Sequence, residues 1–305
     1  MVFMDFNLNT IEVAILQHGY QGSVQATLEH IATLLAKAKA KHPHLDLVVL
    51  PELHPYPYFC QHEDAKYFAW AREFKAQCNF LSGLAKAHEV VLVGSLFEER
   101  MVGVYHNSAV VFEKNGKLLG VQRKMHIPDD PRFYEKFYFT PGDRYAPIAS
   151  SVGNLGVLVC WDQWYPEAAR LMALQKADIL IYPSAIGWFC DEESEDLEEK
   201  DLQRQAWIGV QRGHSIANTI PVIASNRVGF EADPSGETSG LEFFGSSFIF
   251  GAFGKELAQA GFEEEILYTC IDLDESARVR QMWPFFRDRR IDTYKPLIRR
   301  VVDKG

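Results

Sequence analysis

The chain has 305 residues, 47% hydrophobic and 24% charged, the composition of a soluble globular protein long enough to bury a sizeable core. Its formal net charge of −10 argues against a general nucleic-acid binder, whose footprint would be basic. No apolar run approaches the roughly 20 residues that a membrane span needs.

The N-terminal stretch Met1–Thr10 lacks the basic and apolar regions of a signal peptide. The 5 cysteines, Cys60, Cys78, Cys160, Cys190 and Cys270, form no CxxC pair and no Cys/His metal spacing. A reduced, cytoplasmic protein is expected. In chain order, Ile11–Gln17 reads as a strand, Val24–Lys41 as a helix and Leu45–Leu50 as a short buried strand. Glu63–His88 reads as one long amphipathic helix. Val90–Leu96 and Tyr105–Phe112 follow as strands, and the Asn115-Gly116 turn pairs the second with Leu118–Gln122 in a hairpin. Lys124–Asp143 is irregular, rich in proline, aromatics and charge. The apolar run Val152–Cys160 reads as a buried strand, followed by helix Glu167–Gln175 with Pro166 near its first position, and strand Asp178–Tyr182. Cys190–Asp201 is densely acidic, which fits a solvated loop leading into helix Leu202–Asn218. Val222–Ser225, Ser247–Phe250 and Ile266–Ile271 read as strands, Asp233–Gly240 as a surface loop and Glu275–Gln281 as a short helix.

No low-complexity linker divides the chain. Residues 1–305 therefore read as one domain, with the basic, aromatic stretch 283–305 as a C-terminal arm. Strands alternating with helices suggest an α/β fold in which helices cover the sheets, and the hairpin makes those sheets mixed. This pattern fits both a doubly wound sheet and a four-layer α-β-β-α sandwich.

Cys160 stands where a buried run meets the polar, aromatic Trp161–Glu167, on a strand-to-helix turn. Backbone N–H groups and a helix dipole at such a turn lower a thiol pKa and can hold an oxyanion. An ordinary buried cysteine fits the same place. Leu47–Leu53 (LVVLPEL) delivers Glu52 at the end of a strand, where loops of α/β proteins line a crevice. Arg123–Pro128 (RKMHIP) carries Lys124 into the aromatic loop, and Glu135 lies among Phe133, Tyr134, Phe137, Tyr138 and Phe139. Taken singly, these segments also read as a surface acid, a solvated lysine and an ordinary salt bridge.

Together LVVLPEL, RKMHIP and LVCWDQWYPEAAR resemble, in order and spacing, the Glu–Lys–Cys motifs of the nitrilase superfamily of carbon–nitrogen hydrolases. The resemblance runs from about Ile11 to Asp292. Within the superfamily, KMHIPDDPRFYEKFYFTPGD, IPVIASNRVG and FRDRRIDTYKPL resemble the N-carbamoylputrescine amidases. The chain departs from them after Ser184-Ala185-Ile186-Gly187, where Trp188-Phe189-Cys190-Asp191-Glu192-Glu193 follows.

The resemblance implies the four-layer α-β-β-α sandwich, two mixed sheets covered by helices. It implies Cys160 as nucleophile, Glu52 as general base and Lys124 as oxyanion stabiliser, with the backbone N–H of Trp161 as second donor. Glu135 is expected to orient Lys124 and the substrate. No metal or organic cofactor is called for. The expected partner is a small cationic ureido substrate, with no nucleic acid and no membrane, in a homo-oligomer built from dimers. An alkyl chain ending in an ammonium needs apolar or aromatic walls and an acidic terminus. Tyr56, Tyr58, Trp161 and Trp188 are the candidate walls, Ser184 and Ala185 further substrate-binding candidates, and Asp191, Glu192 and Glu193 the candidate ammonium partners. Sister enzymes acting on carboxylate-bearing amides need Arg or Lys opposite the carboxylate, and here no arginine follows Cys160 before Arg170. A non-catalytic binding module would be expected to lack one of Glu52, Lys124 and Cys160, all of which are present.

Overall fold

A computed structural model describes residues 9–190 and 197–302. Strands β1 (Thr10–Gln17), β2 (Leu47–Val49), β3 (Val91–Met101), β4 (Val104–Phe112), β5 (Leu118–Arg123) and β15 (Glu265–Asp272) form a 6-stranded sheet in the order β15-β1-β2-β3-β4-β5. A second 6-stranded sheet has the order β14-β13-β10-β8-β7-β6. It uses β6 (Ile148–Ser150), β7 (Gly153–Val157), β8 (Ile179–Pro183), β10 (Val222–Ser225), β13 (Phe248–Phe250) and β14 (Glu256–Gln259). In both sheets the inner strands run parallel and antiparallel strands flank them.

Side-chain alternation along the strands stacks the layers. In β1, Val13 and Ile15 enter the apolar core between the sheets with Val157 and Ile181, whereas Ala14 and Leu16 meet the helices. Those helices are α1 (Val24–Lys41) and α2 (Phe74–His88), which supply Ile31, Leu35, Leu81 and Ala85. The second sheet turns Leu180, Val222 and Ala224 outward onto α4 (Pro166–Leu174) and α5 (Leu197–Asn218). The result is the four-layer α-β-β-α sandwich. A fully buried aliphatic side chain contributes about 1.5–3 kcal/mol, so strands buried on both faces hold the layers together.

Two expectations about local structure are corrected. Glu63–His88 is not one helix: Ala65–Glu73 is a 3-10 helix that leads into α2. In a 3-10 helix residues three apart align, and this brings the Tyr67 and Trp70 rings together, centres 4.6 Å apart and tilted by 41°, against Phe59. Strands β9 (Gly187–Phe189), β11 (Val228–Ala232) and β12 (Gly240–Phe244) were not expected and build a 3-stranded sheet, order β11-β12-β9, beside the crevice. Gly187 is required there, because a Cβ would sit 2.5 Å from the Glu242 carbonyl oxygen. The short helices α3 (Glu135–Tyr138) and α6 (Glu275–Met282) complete the α-helices among the described residues. Among the described residues no helix is long and apolar enough to cross a membrane.

Candidate active site

Strand ends from both sheets meet at one buried cluster. Glu52 follows β2, Lys124 follows β5, and Cys160 opens a 3-10 turn, Cys160–Trp164, between β7 and α4. Both Leu53 (φ 46°) and Cys160 (φ 40°) adopt the left-handed backbone that side chains disfavour. Such strain persists where surrounding structure holds it. At Leu53 the hold is visible. Its N–H donates to Ser95 Oγ at 3.1 Å, and buried Arg227 donates to the Glu52 and Leu53 carbonyls at 3.1 and 2.9 Å.

Lys124 is fully buried and bridges two carboxylates. Its Nζ donates to Glu52 Oε1 at 2.8 Å and to Glu135 Oε1 and Oε2 at 2.9 and 2.7 Å. Burial alone would strip its proton, but Glu135 and Glu52 outweigh this and hold the ammonium well above its ordinary range. Glu135 is pushed up to about 7, by burial first and by the Glu52 charge, against the pull of Lys124 and of a hydrogen bond from Tyr58. The Tyr58 hydroxyl donates to Glu135 Oε1 at 2.8 Å.

The cysteine differs from the expectation drawn from its turn. A strand-to-helix turn lowers a thiol pKa, yet here burial and the Glu52 carboxylate push Cys160 well above its ordinary value, with Lys124 and the Ala185 N–H opposing. This shift favours the neutral thiol at Cys160. Glu52 keeps one acceptor oxygen open. Its Oε1 takes Lys124 and the Asn107 amide (2.6 Å), while Oε2 receives no hydrogen bond among the described residues.

Two positioning residues escaped the sequence reading. Asn107 sits on β4; its amide orientation is set by Ser95 Oγ, which donates to Oδ1 at 3.1 Å, and its carbonyl takes the Lys124 N–H at 2.9 Å. Asp162 is buried in the cysteine turn and accepts the N–H groups of Val159 (3.0 Å), Met125 (3.2 Å) and His126 (2.8 Å). It thereby ties the lysine segment to the Cys160 turn. The CWDQW motif displayed Asp162, but only the fold brings residues 125 and 126 to it.

Cys160 opens into a pocket of about 300 Å³ lined by Asp130, Phe133, Glu135, Trp161, Trp164, Ala185 and Phe189, among others. Trp161 and Ala185 thus face the pocket. Tyr56 does not: its hydroxyl donates to Gln77 at 2.7 Å and its ring stacks on Trp70, inside the aromatic core. Tyr58 lies behind Glu135 rather than on the wall. Ser184 points its Oγ at Gln163 and Tyr182, and its carbonyl takes the Glu52 N–H at 3.2 Å. Trp188 is the clearest correction. Alternation along β9 puts Gly187 and Phe189 in the pocket and turns Trp188 onto Phe244, on the opposite face. Asp191, Glu192 and Glu193 lie outside the described residues. The sequence reading passed over Asp130, which stands in the pocket lining. Its neighbour Arg132 turns away to Glu237, 3.1 Å distant, and Arg170 lies elsewhere, donating to the Ala217 carbonyl. No Lys, Arg or His is among the described residues that line the pocket.

The family model for carbon–nitrogen hydrolases matches residues 12–281. The chain is 38% identical over 293 residues to an N-carbamoylputrescine amidase of Arabidopsis thaliana, covering 94% of this chain and 95% of the relative. It is 36% identical over 294 residues to a citrullinase of Francisella tularensis, covering 95% and 99%. A crystal structure of a carbon–nitrogen hydrolase from Helicobacter pylori G27 superposes with a TM-score of 0.94 at 59% identity, covering 96% of this chain and 100% of that one. The chain belongs to the carbon–nitrogen hydrolase family, enzymes that hydrolyse non-peptide carbon–nitrogen bonds.

Proposed function

We propose that the protein hydrolyses the ureido group of a compound with a cationic aliphatic tail, N-carbamoylputrescine being the first to test. The observation that carries this reading is the lining of the Cys160 pocket. It has aromatic walls, the carboxylate of Asp130 apart from the catalytic cluster, and no cationic side chain among its described residues. A terminal ammonium fits such a wall, and a terminal carboxylate does not. Citrulline, the substrate named for one relative, carries both groups, and its carboxylate would have no cation to meet.

In this reading Cys160 Sγ attacks the ureido carbon as Glu52 Oε2 takes its proton. The oxygen gains negative charge, held by the Lys124 ammonium and the Trp161 N–H. The C–NH₂ bond breaks as Glu52 returns the proton to nitrogen, and ammonia leaves. The carbamoyl thioester on Cys160 is cleaved by water, which Glu52 deprotonates. The product carbamate breaks down to an amine and carbon dioxide. Glu135 keeps Lys124 charged and in place and offers its carboxylate to the substrate NH₂.

Assembly belongs to the same proposal. Leu171 and Leu174 of α4 and Ile291, Leu297 and Ile298 of the arm expose apolar side chains suited to a second copy of the chain. Light scattering reads this directly, and a monomer at micromolar concentration would refute it.

Ammonia release from a panel of cationic, neutral and anionic ureido compounds tests the function. The cationic member should give the highest kcat/KM. Preference for zwitterionic citrulline or for an anionic member would overturn the assignment of the tail.

A further inference from the structure

Asp130, the carboxylate that meets the substrate tail in the proposed function, opens a tight turn whose third residue is out of place. Asp130-Pro131-Arg132-Phe133 closes with the Phe133 N–H donating to the Asp130 carbonyl at 2.9 Å. Proline fixes φ at the second position of such a turn, and a left-handed backbone at the third favours glycine or asparagine. Arginine stands there instead, at φ 66°. A backbone of that kind persists where surrounding structure holds it.

The Arg132 side chain supplies the hold. Its Nη1 lies 3.1 Å from Glu237 Oε2 and 3.5 Å from Asp233 Oδ2. Glu237 is exposed, and a surface pair contributes little. Asp233 is buried and accepts the N–H and hydroxyl of both Ser235 and Thr238. Burial works against its charge, yet these hydrogen bonds hold its carboxyl below the ordinary value. Asp233 begins the connection from β11 to β12, and β12 pairs with β9, which brings Phe189 to the pocket. Arg132 therefore ties the turn of Asp130 to the sheet that supplies another wall of the same pocket.

The two ends of the turn differ in what else holds them. At the Phe133 end the ring packs on Tyr58 and Phe189, and the next N–H, of Tyr134, donates to the Cys60 carbonyl at 2.9 Å. At the other end Asp130 is exposed and makes no ion pair among the described residues. The pair beside it, Asp129 with Lys136 at 3.6 Å, is exposed as well. Loss of the Arg132 clamp would therefore move the Asp130 carboxylate more than the Phe133 wall.

We propose that Arg132 is a positioning residue for substrate specificity: clamped to Asp233, it fixes the strained turn and with it the place of the Asp130 carboxylate. The inference rests on the reading of Asp130 as the partner of a cationic tail. Arg132→Gly is the test, because glycine accepts the backbone while removing the clamp. It should raise KM for the cationic ureido compound by about fivefold, with kcat and the neutral compound moved by less than about twofold. Arg132→Lys, which keeps a charge for Asp233, should recover most of that loss. In an Asp130→Asn background, Arg132→Gly should add less than about twofold, since both changes act on one carboxylate. An unchanged KM in Arg132→Gly, equal loss on the neutral compound, no recovery with lysine, or an undiminished effect in the Asp130→Asn background would each overturn the clamp. Failure of the tail reading shows differently: Asp130→Asn would then leave the cationic compound unaffected, and the role of Arg132 would fall with it.

Discussion

The two ends of the catalytic pocket are built on different principles. At the Cys160 end the polar groups are buried and, Glu52 Oε2 excepted, wired: Lys124 holds two carboxylates, Asn107 and Tyr58 hold those carboxylates, and Asp162 joins the lysine and cysteine segments. At the Asp130 end the polar group is an exposed carboxylate on a loop, flanked by aromatic rings. Reaction chemistry needs groups held to within tenths of an ångström, and burial with a dense hydrogen-bond network provides that. Recognition of a flexible alkyl chain needs only a wall and a charge, and a loop suffices.

Substitutions should separate the two ends, beginning with the largest effect. Cys160→Ala should lower turnover by at least about 10⁴-fold, and Glu52→Gln by about 10³-fold, because nucleophile and base act as a unit. Circular dichroism should show both folded, and residual turnover near wild type in either would break the assignment. Tyr58→Phe should cost about tenfold in kcat through one lost hydrogen bond to a charged group. Its sharper signature is the pH profile. Glu135 exchanges its proton near pH 7, so kcat/KM should fall as pH drops through that value. Tyr58 helps keep Glu135 ionised, so removing its hydroxyl raises that pKa and moves the acid limb to higher pH. An unmoved limb would uncouple Tyr58 from the chemistry. Asp130→Asn should raise KM for the cationic ureido compound by about tenfold and leave kcat and the neutral compound within about twofold. Equal loss on both compounds would return the ammonium to another partner. Trp188→Phe should change KM by less than about twofold, as expected of a residue facing away from the pocket.

How much of this was legible in the sequence differs from residue to residue. Glu52, Lys124 and Cys160 were visible because each sits where an apolar strand pattern stops, and helix α1 was read to its ends from its helical composition, the structure adding that Ser23 caps it. Trp188 was misplaced because a strand of 3 residues carries too little pattern to reveal which face each side chain takes. Asn107 and Asp130 carried no signal of their own: one reads as a strand residue and the other as a loop acid.

Local order along the chain therefore determined which chemistry was available, since strand ends, caps and motif spacing act over a few residues. The tertiary structure decided everything that depends on distant segments meeting. It surrounded Cys160 with two carboxylates and raised its pKa where the isolated turn would lower it. It joined residues 125 and 126 to Asp162. It also left Asp130 facing the pocket while turning Trp188 away. Electrostatic and packing environments are sums over neighbours in space, and those neighbours are set only when the two sheets close on each other.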